Sequence, residues 1–210
     1  MSAAPAPPPF TLVRATGRVT PAAFVESPNC DPRPPGARIE VLVIHAISLP
    51  SGRYGGGHIE RLFTNRLDAG AHPAFAEISQ LKVSSHFLIK RDGALLQFVP
   101  IHLRAWHAGA SNFRGRRRVN DFSIGIELEG CDHDPFEAVQ YERLSALARF
   151  LMDCYPAIRP DHVVGHSDIA AGRKTDPGPC FDWRRLRAAV AAAGGAAGRP
   201  DSLTGASHIR

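Results

Sequence analysis

Two histidines and an aspartate occupy positions suited to metal chemistry. His45 closes the apolar run IEVLVIH (39–45), His166 follows HVVG (162–165), and Asp176 lies in the irregular segment GRKTDPGP (172–179). Open α/β sheets carry their sites where strand ends give way to loops. Two imidazoles and one carboxylate make a three-ligand zinc set that leaves a fourth position for water or substrate. Zinc in such a site lowers the pKa of water to about 7 and polarises a carbonyl. Spacing alone does not select this set: there is no HExxH, the three residues are far apart, and most histidines in proteins are structural or solvated.

Acid–base partners are also present. Glu127 and Glu129 alternate with apolar residues in SIGIELEG (123–130), so both face the same side of a strand. A glutamate inside a sheet is costly unless paired or functional, and one of the two suits a general base for an attacking water. The alternation does not say which, and a solvated sheet face with ordinary ion pairs gives the same pattern. Lys174 precedes Asp176 by two residues. In an extended loop its ammonium would sit beside the metal, where it suits a developing oxyanion; a surface lysine is the plainer alternative.

These residues need a frame. The run at 39–45 is short, continuous and β-branched, as a buried strand requires. SHFLIKR (85–91) and ALLQFVP (94–100) flank Asp92-Gly93, a turn signal that predicts a hairpin. Leu144, Leu147, Ala148, Leu151, Met152 and Tyr155 recur at helical spacing across 137–155, the stripe of a helix lying on a sheet. Residues 162–165 make a short strand, and Asp182 is placed to cap a last helix starting at Trp183. The prolines at 21, 28, 32, 34 and 35 allow that segment to wrap a surface but not to form a helix or an interior strand. Interleaved strands and helices predict an α/β fold: a single domain at 11–190 with a mixed central sheet flanked by helices. The Ala/Pro-rich residues 1–10 and the Ala/Gly-rich, then polar, tail at 191–210 are expected to be disordered.

A chain of 210 residues buries a core without disulfides or a structural metal. A net charge of +5 favours acidic partners without choosing among them. Four scattered cysteines, none in CxxC spacing, read as reduced thiols. No stretch approaches a membrane span, and the N-terminus lacks the basic and apolar regions of a signal peptide. The expectation is a cytoplasmic protein with no membrane partner. Arg116-Arg117-Arg118 is a solvated loop or an attractor for anionic substrate, and no nucleic-acid-binding motif accompanies it.

The runs VIHAISLPSG, LQFVPIHLRAWHAG, NDFSIGIELEG, VVGHSDIA and RKTDPGPCFDW occur in order across about residues 26–187. Together they resemble the cytoplasmic anhydro-N-acetylmuramyl-L-alanine amidases of cell-wall recycling, zinc enzymes whose fold is similar to the peptidoglycan-recognition proteins. The resemblance implies Zn2+ held by His45, His166 and Asp176, with Glu127 as catalytic carboxylate and Lys174 as catalytic lysine. It puts Trp106 and His107 along the substrate groove, and Lys82 and Arg118 opposite substrate carboxylates. It further implies a monomer whose partner is a small muramyl peptide, cut between muramic acid and L-alanine. Two departures stand out: Ala46 follows the first ligand where relatives commonly have Asn, and Lys82 stands where Arg is expected. Arg meets a carboxylate with a planar fork and Lys as a point charge, so peptide affinity is open to retuning. The alternative is a non-catalytic module that recognises peptidoglycan fragments. Filled ligand positions together with Glu127 and Lys174 favour hydrolysis.

Overall fold

Period-two alternation decides which side chains meet across the centre of the molecule. The computed structural model describes residues 9–191. Its main sheet has six strands: β1 (Ala23–Phe24), β2 (Val41–Ile47), β3 (Phe87–Ile89), β4 (Leu95–Gln97), β5 (Ser123–Glu129) and β6 (Val163–Gly165). They lie in the order β6-β2-β5-β3-β4-β1. β5 runs parallel to both β2 and β3, and β6 runs parallel to β2. β3 and β4 form the expected antiparallel hairpin about Asp92-Gly93. Asp92 Oδ1 accepts the Ala94 N–H at 2.9 Å there, and Gly93 takes φ 81°, a conformation a side chain resists. The sheet is therefore mixed, as the interleaved pattern requires.

Two differences from the sequence reading concern strand ends. β2 runs two residues past His45, because β5 continues alongside it and pairs Glu129 with Ile47. The hairpin strands are only three residues each, and His162 belongs to a 3-10 turn, Pro160–His162, rather than to β6.

Even-numbered residues of β2 and β5 (Leu42, Ile44, Ile124, Ile126 and Leu128) point to one face with Phe87 and Ile89. After two short helices, α1 (His58–Phe63) and α2 (Phe75–Ile78), the long helix α3 (Ala138–Cys154) covers that face through Leu144, Leu147, Ala148 and Leu151, all fully buried. Burying one such leucine contributes about 1.5–3 kcal/mol. Gln140 ties the start of α3 to the sheet: its Oε1 accepts the Glu137 N–H at 3.0 Å, and its Nε2 donates to the Glu129 carbonyl at 3.0 Å. A last helix, α5 (Trp183–Ala191), packs Leu186 and Val190 beside α3. Asp182 caps it as expected, accepting the Arg185 N–H at 2.9 Å.

The opposite face is built differently. Val41 and Val43 pack with Val119, Phe122 and Ile169 at one end, and Leu88 packs with Phe63, Phe75 and Phe98 at the other. Between these apolar patches the same face carries His45, Gly125 and Glu127. The proline-rich segment supplies only the edge strand β1 and a short ladder, Cys30–Pro32 against Leu103–Ala105. Among the described residues no helix is long and apolar enough to cross a membrane, and the four cysteines are free thiols. The segments expected to be disordered fall outside the described residues, except for Pro9, Phe10, whose ring lies against Phe150, and Ala191 at the end of α5.

Candidate metal centre

Sheet register assembles the site. His45 is the direct parallel partner of Glu127, and Gly165 pairs with Ile44, which brings the next residue, His166, level with His45. A row across the sheet therefore reads His166, His45, Glu127, Leu88. His45, His166 and Glu127 are all buried. Asp176 joins from the loop after helix α4 (His166–Ile169), held by the Ser167 N–H donating to the Asp176 carbonyl at 2.9 Å. The loop passes close over Gly165, where a Cβ would come within 3.0 Å of the Pro177 ring.

His45 Nδ1, His166 Nδ1 and Asp176 Oδ2 form a triangle 3.1 Å on each side. Donor atoms of a tetrahedral zinc site, with bonds of about 2.0–2.1 Å, lie about 3.3 Å apart. The triad therefore has the spacing of three ligands converging on one ion. Tautomers agree with that use. A carbonyl only accepts, so the 3.2 Å contact of His166 Nε2 with the Ala108 carbonyl puts the proton on Nε2 and leaves the Nδ1 lone pair facing the triad. Burial lowers the pKa of His45 to about 4, with His166 and Lys174 adding to the effect against Asp176, so the ring is neutral at pH 7, as a ligand must be. Burial pushes the Asp176 carboxyl up, yet the His166 and His45 imidazoles against it outweigh this and hold it well below the usual carboxylate range.

The two glutamates, indistinguishable by alternation, differ in their partners. Glu129 is saturated: Oε1 accepts the Gly55 N–H at 2.6 Å and Oε2 the Arg91 N–H at 3.1 Å, so it fastens two loops to the sheet. Glu127 has a buried Oε2 with no hydrogen-bond partner among the described residues. Burial, and then Asp176, raise its pKa well above the ordinary value, and Lys174 opposes them. A cation on the triad would act in the same sense as Lys174, restoring the carboxylate.

The triad, Glu127 and Lys174 line one cleft of about 250 Å³, with Leu49, Leu62, Ile78 and Val83 as an apolar wall. A more polar cleft of about 460 Å³, edged by Ser48, Asp132, His133 and Arg173, shares Lys174 and Asp176 with it. Lys174 is exposed at this junction, and its loop is a series of turns rather than an extended run. Trp106 and His107 line the first cleft, and the Trp106 Nε1–H donates to Asp31 Oδ1 at 3.1 Å. Lys82 is exposed between Leu81 and Val83, which line the cleft, but does not itself line it. Arg118 is set apart: it pairs with Asp121 at 3.2 Å and borders a different cavity beside Gly109 and Asn112.

Residues 35–179 match the family model described as N-acetylmuramoyl-L-alanine amidase. The chain belongs to that family. The amidase is 54% identical over 175 residues to 1,6-anhydro-N-acetylmuramyl-L-alanine amidase AmpD of Salmonella typhimurium strain SL1344, covering 83% of this chain and 93% of the relative. It is similar to the crystal structure of a Se-Met AmpD derivative, with TM-score 0.81 and 51% identity over 83% of this chain and 97% of the other. It also resembles N-acetylmuramyl-L-alanine amidase AmiD of Escherichia coli in complex with the substrate anhydro-N-acetylmuramic acid-L-Ala-D-gamma-Glu-L-Lys. There the TM-score is 0.54 and the identity 34%, over 77% of this chain and 60% of the other.

Sequence patterning passed over several residues that hold the amidase cleft together. Asn120 Oδ1 accepts the N–H groups of His107 and Ala108, at 3.2 and 2.8 Å. Arg173 Nη2 donates to the carbonyls of Ala108 and Ala110, at 2.8 Å each. One signal was available. Gly125 sits inside a strand, where glycine often marks a close approach, and a Cβ there would lie 2.6 Å from the His107 ring.

Proposed function

We propose that this chain hydrolyses the amide joining the lactyl group of anhydro-N-acetylmuramic acid to L-alanine in peptidoglycan turnover fragments, in the cytoplasm, as a monomer, and with zinc in the triad. The observation that carries the reading is a His–His–Asp triangle with the spacing of metal ligands beside a buried glutamate, one oxygen of which lacks a partner among the described residues. The names of its relatives, and the muramyl peptide bound by AmiD, support the substrate.

His45, His166 and Asp176 would hold the metal, which when bound supplies Lewis acidity toward water and the amide carbonyl. Glu127 takes a proton from the attacking water and returns it to the amine of L-alanine as the C–N bond breaks. Lys174, at the mouth where the two clefts meet, places its ammonium toward the tetrahedral oxyanion. The apolar wall keeps bulk water off the reacting groups, and the junction leaves room for sugar and peptide on either side of the scissile bond. Trp106 offers a flat face to the substrate, while Lys82 and Arg118 lie far enough out to meet only its distal carboxylates.

The test is incubation of the purified protein with an anhydromuramyl tripeptide, followed by mass spectrometry. Free tripeptide and anhydro sugar, lost on chelation and restored best by Zn2+, are expected. Intact substrate with a zinc-loaded protein would favour a recognition module instead.

A further inference from the structure

His107 lines the cleft, but its strongest bonds run away from substrate. Its Nδ1 lies 2.9 Å from His45 Nε2, and its Nε2 lies 3.2 Å from Ser123 Oγ. The ring meets His45 edge-on, with centroids 5.0 Å apart. It rests on Gly125, and its backbone N–H is fixed by Asn120. We propose that His107 is a positioning residue of the metal centre: by accepting the Nε2–H of His45 it reserves the His45 Nδ1 lone pair for the ion.

The argument is one of hydrogen-bond direction. In the chain Asp176–His45–His107–Ser123 each ring carries one proton, so the chain has two senses. In one, His45 Nδ1–H donates to Asp176 Oδ2, His107 Nδ1–H donates to His45, and the Ser123 hydroxyl donates to His107; His45 then presents no lone pair to the triad. In the other, His45 Nε2–H donates to His107 Nδ1 and His107 Nε2–H donates to Ser123 Oγ, and the lone pair is free. Metal-bound histidines ordinarily give their second N–H to a carbonyl or carboxylate, which fixes their tautomer. His166 does so through Ala108. For His45 the only such acceptor among the described residues is another imidazole, which becomes an acceptor when Ser123 takes its remaining proton. Binding of an ion selects the second sense along the whole chain.

This rests on the reading of the triad as a metal site, and zinc titration without substrate separates it from the question of what the protein cleaves. His107→Phe keeps the ring volume and removes the acceptor; His107→Asn keeps an acceptor near the position of Nδ1. Loss of such an outer partner costs about 10–100-fold in metal affinity. The zinc Kd of His107→Phe is expected to rise by that factor, that of His107→Asn to stay close to the parent value, and excess zinc to restore kcat in His107→Phe. An unchanged Kd with a raised KM would overturn the proposal and make His107 a substrate contact. Should His107→Phe fail to fold, nitrogen-15 NMR of the unaltered zinc-loaded protein decides: protons on Nε2 of both His45 and His107 support the proposal, and a proton on His107 Nδ1 refutes it.

Discussion

The two ends of β5 both bury charge, and they treat it in opposite ways. At the start, Arg33 enters from the proline-rich segment. Its guanidinium donates to the carbonyls of Ile101, Asn120, Asp121 and Ser123 at 3.0, 3.2 and 2.9 Å for the last three. Burial lowers its pKa to about 10, which leaves it charged at pH 7. Toward the other end, Glu127 is more deeply hidden but keeps an oxygen without a partner among the described residues, and two triad nitrogens face one carboxylate oxygen. A buried polar group left unpaired costs about 1–3 kcal/mol. The first end spends its hydrogen bonds on stability; the second withholds them, and what it withholds is available to an ion and a substrate.

Glu127→Gln and Glu129→Gln break the comparison most sharply. For Glu127→Gln, turnover is expected to fall about 10²–10⁴-fold, the usual contribution of a general base, with no loss of thermal stability. Glu129→Gln should keep turnover near the parent rate while losing about 1–3 kcal/mol of stability, since a neutral amide accepts the Gly55 and Arg91 N–H groups less well. Steady-state kinetics and denaturant melts on both proteins check this, and exchanged outcomes would reverse the two assignments.

Arg33→Met sharpens the other end. Several buried carbonyls lose a charged donor at once, so a loss of about 3–4 kcal/mol is expected in a denaturant melt. A loss within experimental error would show that the carbonyls find other donors and that Arg33 is not the fastener described. Acid supplies the smallest effect. Burial holds His45 near 4 and His86 near 3, against 6.5 in an unfolded chain. Between those values the unfolded chain binds protons that the native rings refuse. The stability of the metal-free protein is therefore full above about pH 6.5 and declines as pH falls toward 4. A melting temperature that stayed flat from pH 7 to 5 would contradict the burial of these rings.

Much of the frame was legible because it follows from local pattern. Alternation in 123–130 gave both faces of β5, Asp92-Gly93 gave the hairpin, and the stripe from Leu144 to Met152 gave the helix over the sheet. What escaped depends on residues distant in sequence. Glu127 and Glu129 share a face, and only the loops at Gly55 and Arg91 tell them apart. The resemblance placed His107 along the groove. Its second neighbour, His45, is 62 residues away and becomes visible only when β2 and β5 lie side by side. Arg33 sits in a proline-rich stretch that reads as mere wrapping, and its carbonyl partners carry no sequence signature at all.

The row formed by His166, His45 and Glu127 has a consequence for the folding chain. These side chains share a line only while β6, β2 and β5 keep their pairing, and a slip of one residue in β5 would turn Glu127 to the opposite face. Completion of the central sheet and the birth of the catalyst are thus one event. A nascent or partly unfolded chain holds the histidines and the glutamate but not their alignment, so it can neither capture an ion in this geometry nor cut an amide. Activity is consequently a direct reporter of how many molecules have finished their sheet.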